Sequence, residues 1–260
     1  MKLKDLVLGL IVLLIIYLVY IWFFTDSTKA YLISSVVDAS VPEKISSSEL
    51  PKRLTNDFTY SFWIYINSWE TDSGKNKVII QRGDGVAPNK GIKIYLTKYV
   101  NNLKIDIPMI PTTSSSSTSS SSSDYQSTDS NNCEIKNIPL QRWVCITISV
   151  NNRSSDLYLD GKLVNTCVYS GVISDCGEDA NLPINICSKS TNTPPSEERN
   201  GYNGSISNVL YYARAVNPRE AYSIYRQGPG GGNTLLNILN KYGLKFSFMS
   251  HGKEIHHVQI

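Results

Sequence analysis

The sequence predicts an all-β fold, a two-sheet antiparallel jelly-roll sandwich, for the roughly 230 residues that follow residue 30. Three observations predict it. Large apolar residues alternate along Phe58–Ile66, further short apolar runs at 77–81, 92–97 and 103–107 are separated by Gly, Asn and Pro turns, and no helical period competes there. Strict alternation is typical of a strand with one face in a core.

The chain begins with a strongly apolar segment. Residues 6–24 carry no charge and follow a short tail, residues 1–5. As a helix they would span roughly 28 Å, which predicts a single transmembrane helix and not the shorter apolar region of a signal peptide, the competing interpretation. Lys2 and Lys4 precede the run, and Lys29 is the only cation in the next fifteen residues. This bias predicts a cytosolic N-terminus and a translocated C-terminal domain.

The remaining chain divides by composition. Residues 25–48 are Ser-rich and predict a stalk, residues 49–229 contain the strands, and residues 112–132 form a Ser-rich inserted loop. Residues 230–260 follow a Gly-rich linker as a C-terminal extension. Within it, 234–241 predicts a short helix, and 244–249 and 255–260 predict a hairpin that covers a sandwich edge or docks on a partner.

Five cysteines lie beyond the apolar segment: Cys133, Cys145, Cys167, Cys176 and Cys187. In a translocated domain they allow two disulfides and one thiol, and the pairing stays open. Cys167 and Cys176 are close enough to close a loop, whereas Cys145 lies in mid-strand and fits a small buried apolar residue. The alternative is five reduced thiols. None has zinc-site spacing.

Four segments in order carry a family resemblance. They are the Phe58–Ile66 strand (FTYSFWIYI), the strand WVCITISV at 143–150, the hairpin LYLDGKLV at 157–164, and GYNGSISNVLYYARAVNPREA at 201–221. The last includes Asn217 as helix cap and Pro218 at the first helical position, with the helix running through Arg226. This set resembles the laminin-G-like, concanavalin A-like lectin jelly roll over residues 50–229. An anchor followed by one such domain also resembles virion membrane proteins of large DNA viruses.

The sequence offers little for catalysis, which predicts a non-enzymatic protein. Enzymes of this fold usually present a carboxylate array on one strand, and the nearest approach here, Asp156 and Asp160, brackets a hairpin strand. All three histidines lie in the last ten residues. The net charge of +3 is too weak and dispersed to indicate nucleic acid.

Two kinds of ligand site remain. The resemblance implies a calcium ion at a sandwich rim. Asp84, Asp175 and Asp179 are the candidate ligands, the alternative is that these carboxylates only form turns, and no other cofactor is expected. Glycan recognition needs aromatic side chains that stack on sugar faces. The candidates are Trp69, Tyr95, Tyr99 and Tyr202.

We therefore expect a membrane-anchored module that makes protein contacts near a bilayer, in the manner of a minor capsid protein that tethers a virion shell to its membrane. Its expected partners are the lipid bilayer, other structural or capsid proteins, and glycans. The alternative is a carbohydrate-binding lectin domain on a cell or virion surface. The fold alone does not separate these two functions.

Overall fold

A computed structural model describes residues 3–24, 27–53, 55–70, 73–83, 90–109, 133–175, 181–189, 197–230, 245–250 and 253–259. Two seven-stranded sheets form its body. Sheet A contains β1 (Lys29–Ile33), β2 (Val37–Asp38), β4 (Phe58–Ile66), β9 (Trp143–Asn151), β10 (Ser154–Leu159), β11 (Lys162–Val168) and β14 (Gly204–Tyr212). Sheet B contains β3 (Glu43–Ile45), β5 (Asn76–Gly83), β6 (Lys90–Leu96), β7 (Leu103–Asp106), β8 (Glu134–Ile135), β12 (Ile184–Ile186) and β13 (Glu198–Asn200).

Strand order confirms the predicted antiparallel sandwich. Sheet A runs β1-β14-β4-β9-β10-β11, with β2 also on β14, and sheet B runs β3-β12-β5-β6-β7-β8, with β13 also on β5. The pairs are antiparallel except β13 with β5. Strands that are distant in the chain lie side by side, so each sheet is assembled by long-range pairing.

The core lies between the sheets. Tyr60, Phe62 and Ile64 alternate along β4 and are fully buried, and they share one hydrophobic cluster with Ile80 and Ile94 of sheet B. Each fully buried Phe or Ile contributes roughly 1.5–3 kcal/mol. The alternation in Phe58–Ile66 therefore correctly predicted which face of β4 is inside.

The outer face of sheet A is covered by helix α2 (Pro218–Arg226). Ala221 and Ile224 pack against Leu210 and Tyr158 in a second, smaller cluster. The predicted cap is confirmed, because the Asn217 side chain accepts a hydrogen bond from the Glu220 amide at 2.9 Å and the Glu220 carboxylate accepts one from the Asn217 amide. The helix therefore starts where the sequence predicted.

The predicted stalk is corrected by the structure. Residues 29–45, within the stalk assigned to 25–48, supply β1, β2 and β3 to the two sheets. These strands pair with β14 and β12. They lie at sheet edges, where backbone pairing needs little apolar alternation, and this is why the Ser-rich pattern concealed them.

At the C-terminus, β15 (Lys245–Ser250) and β16 (Lys253–Gln259) form an antiparallel hairpin. This agrees with the strands expected at 244–249 and 255–260. The expected helix at 234–241 and the Ser-rich insertion at 112–132 lie outside the described residues.

Helix α1 occupies Leu3–Phe24. Within the part of the chain that the structure describes, no helix combines the length and the apolar character needed to cross a bilayer. The predicted single-pass localisation, with its cytosolic N-terminus and translocated domain, is therefore wrong.

One disulfide joins the two sheets. Cys133, directly before β8, is bonded to Cys167 of β11, with their Cα atoms 5.7 Å apart. The sequence left the pairing open, and the structure resolves it for Cys167 as a long-range pair because β11 lies beside β8. Cys167 therefore does not close the short loop with Cys176 that its spacing allowed. Cys145 and Cys187 are free and buried, which confirms Cys145 as a core residue.

Candidate binding cleft

A polar cleft opens at the end of the sandwich where β5 finishes. It has a volume of about 580 Å³ and lies between the segment 47–56, Arg82 of β5 and Tyr211 of β14. Its lining residues are Ser47, Leu50, Pro51, Lys52, Arg53, Thr55, Asn56, Arg82, Asn181 and Tyr211. We call this site the rim cleft. The polar residues that line it are three cations, two amides and three hydroxyls.

A buried carboxylate organises the wall of the rim cleft. Asp175 is fully buried and forms ion pairs with Arg53 and Arg82, whose side chains are 15% and 3% exposed. Its Oδ2 also accepts hydrogen bonds from the hydroxyls of Tyr60 at 3.4 Å and Tyr211 at 3.2 Å. Four donors from different elements therefore converge on one carboxylate, as the burial of a charge requires.

The two tyrosines are held in the neutral state. Burial raises the pKa of Tyr60 well above its ordinary value, and the negative charge of Asp175 raises it further. The same two causes, in the same order, raise the pKa of Tyr211. Both phenols therefore stay protonated at physiological pH and remain hydrogen-bond donors.

The backbone holds Asp175 in place. The carbonyl of Asp175 accepts a 2.7 Å hydrogen bond from Ile92, and the amide of Ser174 donates to Pro108 at 3.1 Å. Gly91 makes the close approach feasible, because a Cβ there would contact the Asp175 carbonyl and lie 2.8 Å from the carbonyl oxygen of Arg82. The carboxylate is therefore positioned by packing of its own backbone.

The residues predicted to bind calcium are only partly described. Asp175 is fully buried beneath the rim cleft, and its two oxygens face guanidinium groups. Asp84 and Asp179 lie outside the described residues. Among described residues, no group of three or more His, Cys, Asp or Glu could hold a metal ion. The calcium site remains a prediction.

Two of the predicted glycan contacts lie near the opposite end of β5, at Asn76. Tyr99, in the turn between β6 and β7, is 76% exposed and lies beside Gly74. Trp69 is half-buried, and the ammonium of Lys77 lies 4.4 Å from its ring centre. These two aromatic residues are therefore remote from the rim cleft along β5.

The other two aromatic candidates are buried. Tyr95 of β6 has the Lys93 ammonium 5.1 Å from its ring centre, and burial, followed by the charge of Asp106, raises its pKa. Tyr202 is completely enclosed, and its hydroxyl donates to the Ser205 carbonyl at 2.7 Å. Neither ring presents an open face in this conformation.

No sequence pattern had pointed to the basic side chains of the rim cleft, Lys52, Arg53 and Arg82. One signal was available, because Arg82 follows Ile80 by two residues and alternation places both on the inward face of β5. A buried arginine needs a counter-ion, so its position predicts a nearby carboxylate. The sequence does not show that Asp175, 93 residues later, is that carboxylate.

Comparison with solved structures finds similar folds. The CBM40 domain of the Ruminococcus gnavus IT-sialidase, bound to alpha2,3 sialyllactose, has a TM-score of 0.50 and 11% identity, covering 77% of this chain and 100% of that chain. Domain 4 of AbnA, a GH43 extracellular arabinanase from Geobacillus stearothermophilus, in complex with arabinotriose, has a TM-score of 0.44 and 16% identity, covering 76% and 81%. The binding domain of botulinum neurotoxin DC in complex with SialylT has a TM-score of 0.45 and 16% identity, covering 75% and 45%. At these identities the likeness concerns the fold alone.

Comparison with curated protein sequences finds no match. A family profile, in contrast, matches residues 42–221, which include most strands of both sheets and the first part of α2. This match agrees with the resemblance that the sequence motifs carry. The chain belongs to the concanavalin A-like lectin/glucanases superfamily.

Proposed function

We propose that this protein is a non-catalytic carbohydrate-binding module whose ligand occupies the rim cleft. The observation that carries the proposal is the cleft itself, a concave site of about 580 Å³ lined by basic, amide and hydroxyl residues. Ligand pockets of roughly 300–1,000 Å³ accommodate small ligands of this size class. The lectin-like fold and the CBM40 domain bound to sialyllactose support this choice.

The lining suits a hydroxylated ligand. Asn56 and Asn181 each offer an amide that both donates and accepts, and Thr55 adds a hydroxyl. Tyr211 lies on the inner wall with its hydroxyl directed to Asp175. Sugar hydroxyls likewise donate and accept, so amides and hydroxyls match them better than an apolar lining would.

The proposal does not include hydrolysis. Glycosidases place two carboxyl groups about 5–9.5 Å apart around the bond they cleave. Asp175 is the carboxylate beneath the described lining, and it is fully buried between two guanidinium groups. A group held in this way stabilises the site and is poorly placed to exchange protons with a sugar.

We do not retain the hypothesis of a membrane tether, since it depended on a span that the described residues do not contain. The lectin alternative from the sequence analysis becomes the main proposal. It requires the described sandwich and cleft, whatever the position of the N-terminal segment.

The test is a glycan array probed with the full chain, followed by calorimetric titration of the strongest ligand. We expect the double variant Asn56→Ala/Asn181→Ala to weaken binding at least about fivefold, because each lost hydrogen bond costs about 0.5–1.5 kcal/mol. Asn151→Ala removes an exposed amide from the end of β9 and should bind as the parent does. Absence of any glycan ligand, or equal binding by parent and double variant, would refute the proposal.

A further inference from the structure

We infer that the ligand of the rim cleft is an acidic saccharide, one that carries a carboxylate or a sulfate. This inference rests on the proposed function. It concerns the charge of the lining, which is strongly one-sided in a chain whose total net charge is only +3.

Three cations and one carboxylate meet at the cleft. Lys52, Arg53 and Arg82 line it, and Asp175 lies beneath them, so the described residues of the cleft carry three positive charges and one negative charge. Concave sites with walls of low dielectric constant focus such a field and raise the local concentration of an oppositely charged ligand.

The positions of the charges favour an anion at the opening. Exposure increases outward from Asp175, which is fully buried, through Arg82 and Arg53 to the exposed Lys52. The negative charge is therefore at the base, covered by guanidinium groups, and the positive charge is nearest to solvent. An entering ligand meets cations before it meets the carboxylate.

Lys52 provides a second observation. Its ammonium has no ion-pair partner within the described residues, although Arg53 beside it is paired with Asp175. A lysine on a cleft wall adds a point charge that attracts carboxylate and sulfate alike, whereas guanidinium groups add planar donors that fit their paired oxygens. The combination recognises the acidic group and does not distinguish carboxylate from sulfate.

Asp175 acts as a positioning residue for this subsite. It joins Arg53, from the segment before β4, to Arg82 at the end of β5. The guanidinium groups of Arg53 and Arg82 carry like charges that repel each other, and the carboxylate between them holds both at one wall of the cleft. The positive charges of Arg53 and Arg82 are therefore fixed at this wall of the cleft.

The experiment is an array of neutral, carboxylated and sulfated glycans, probed with the full chain. Acidic glycans should dominate the bound set, and the carboxylated and sulfated groups show which acid is preferred. A bound set of neutral glycans would overturn this inference and leave the proposed function standing. An array without any bound glycan would overturn both.

The site is then tested with a charge reversal. Lys52→Glu should weaken binding of the best acidic glycan at least about tenfold, and raising NaCl from about 0.05 to 0.5 M should weaken parent binding because salt screens exposed charges. Lys162→Glu reverses a matched exposed lysine on β11 and should leave affinity within about twofold. Circular dichroism confirms that both variants are folded. Unchanged affinity of the Lys52→Glu variant would overturn the inference.

Discussion

Replacement of Asp175 by Asn should strongly destabilise the domain. The substitution preserves shape and removes the charge that compensates Arg53 and Arg82. Arg82 is only 3% exposed, so it would remain charged and buried beside a neutral amide. Breaking a buried ion pair in this way costs about 3–5 kcal/mol.

The size of this effect is large for one domain. Total stability is typically about 5–15 kcal/mol, so the variant would lose a substantial fraction of it. For a domain of about 150–250 residues each kcal/mol shifts Tm by about 2–4 °C, which gives a decrease of about 6–20 °C. Loss of the carboxylate acceptor for the hydroxyls of Tyr60 and Tyr211 acts in the same direction.

The assay is equilibrium unfolding in urea, followed by fluorescence and circular dichroism. Asp156→Asn is the matched control, because Asp156 accepts a hydrogen bond from Thr166 at the protein surface, and it should change stability by no more than about 0.5 kcal/mol. The double variant Asp175→Asn/Arg82→Gln should lose less unfolding free energy than the two single variants lose together, because it removes both charges of the pair. A loss below about 1 kcal/mol for Asp175→Asn, or simple additivity, would refute the buried ion-pair argument.

Three further predictions concern other parts of the fold. Burial raises the pKa of the Cys145 and Cys187 thiols to about 12, so at pH 8 only about one thiol in ten thousand is a thiolate. Iodoacetamide should therefore label both cysteines in urea but not in the native protein, and mass spectrometry measures this labelling. Rapid native labelling would contradict their burial. The double variant Cys133→Ala/Cys167→Ala should lower the unfolding free energy by about 2–4 kcal/mol, because the bond closes a loop with a sequence separation of 34; an unchanged urea midpoint would count against it. Asn217→Ala removes the capping box of α2 and should cost about 1 kcal/mol, whereas an equally stable variant would show that the cap contributes nothing.

Local sequence patterns predicted the elements that are specified by residues close to one another in the sequence. Alternation located Phe58–Ile66 and its inward face, and Asn217 with Pro218 located the start of α2. These signals work because side chains along a strand point to the same face at every second residue, and an N-cap side chain bonds to a backbone amide only three residues later. The edge strands β1–β3 were missed, since a strand at an edge needs little apolar pattern.

The apolar run at 6–24 led the sequence analysis to a wrong localisation. The length and lack of charge of this run matched a span, but no helix among the described residues is long and apolar enough to cross a bilayer. The disulfide shows the same limit of local reasoning. Spacing left the pairing open and allowed a loop closed by Cys167 and Cys176, whereas the structure pairs Cys167 with Cys133 because β11 lies beside β8.

The sequence by itself determined that the chain forms a β sandwich of the lectin type, because alternation, turn residues and motif order are all local properties. Only the tertiary structure revealed the rim cleft, where we propose that a ligand binds. Arg53 and Arg82 are 122 and 93 residues from Asp175 in the chain, and no local pattern links them. Sheet pairing brings these distant positions to one rim, and the cost of burying a lone charge keeps them together.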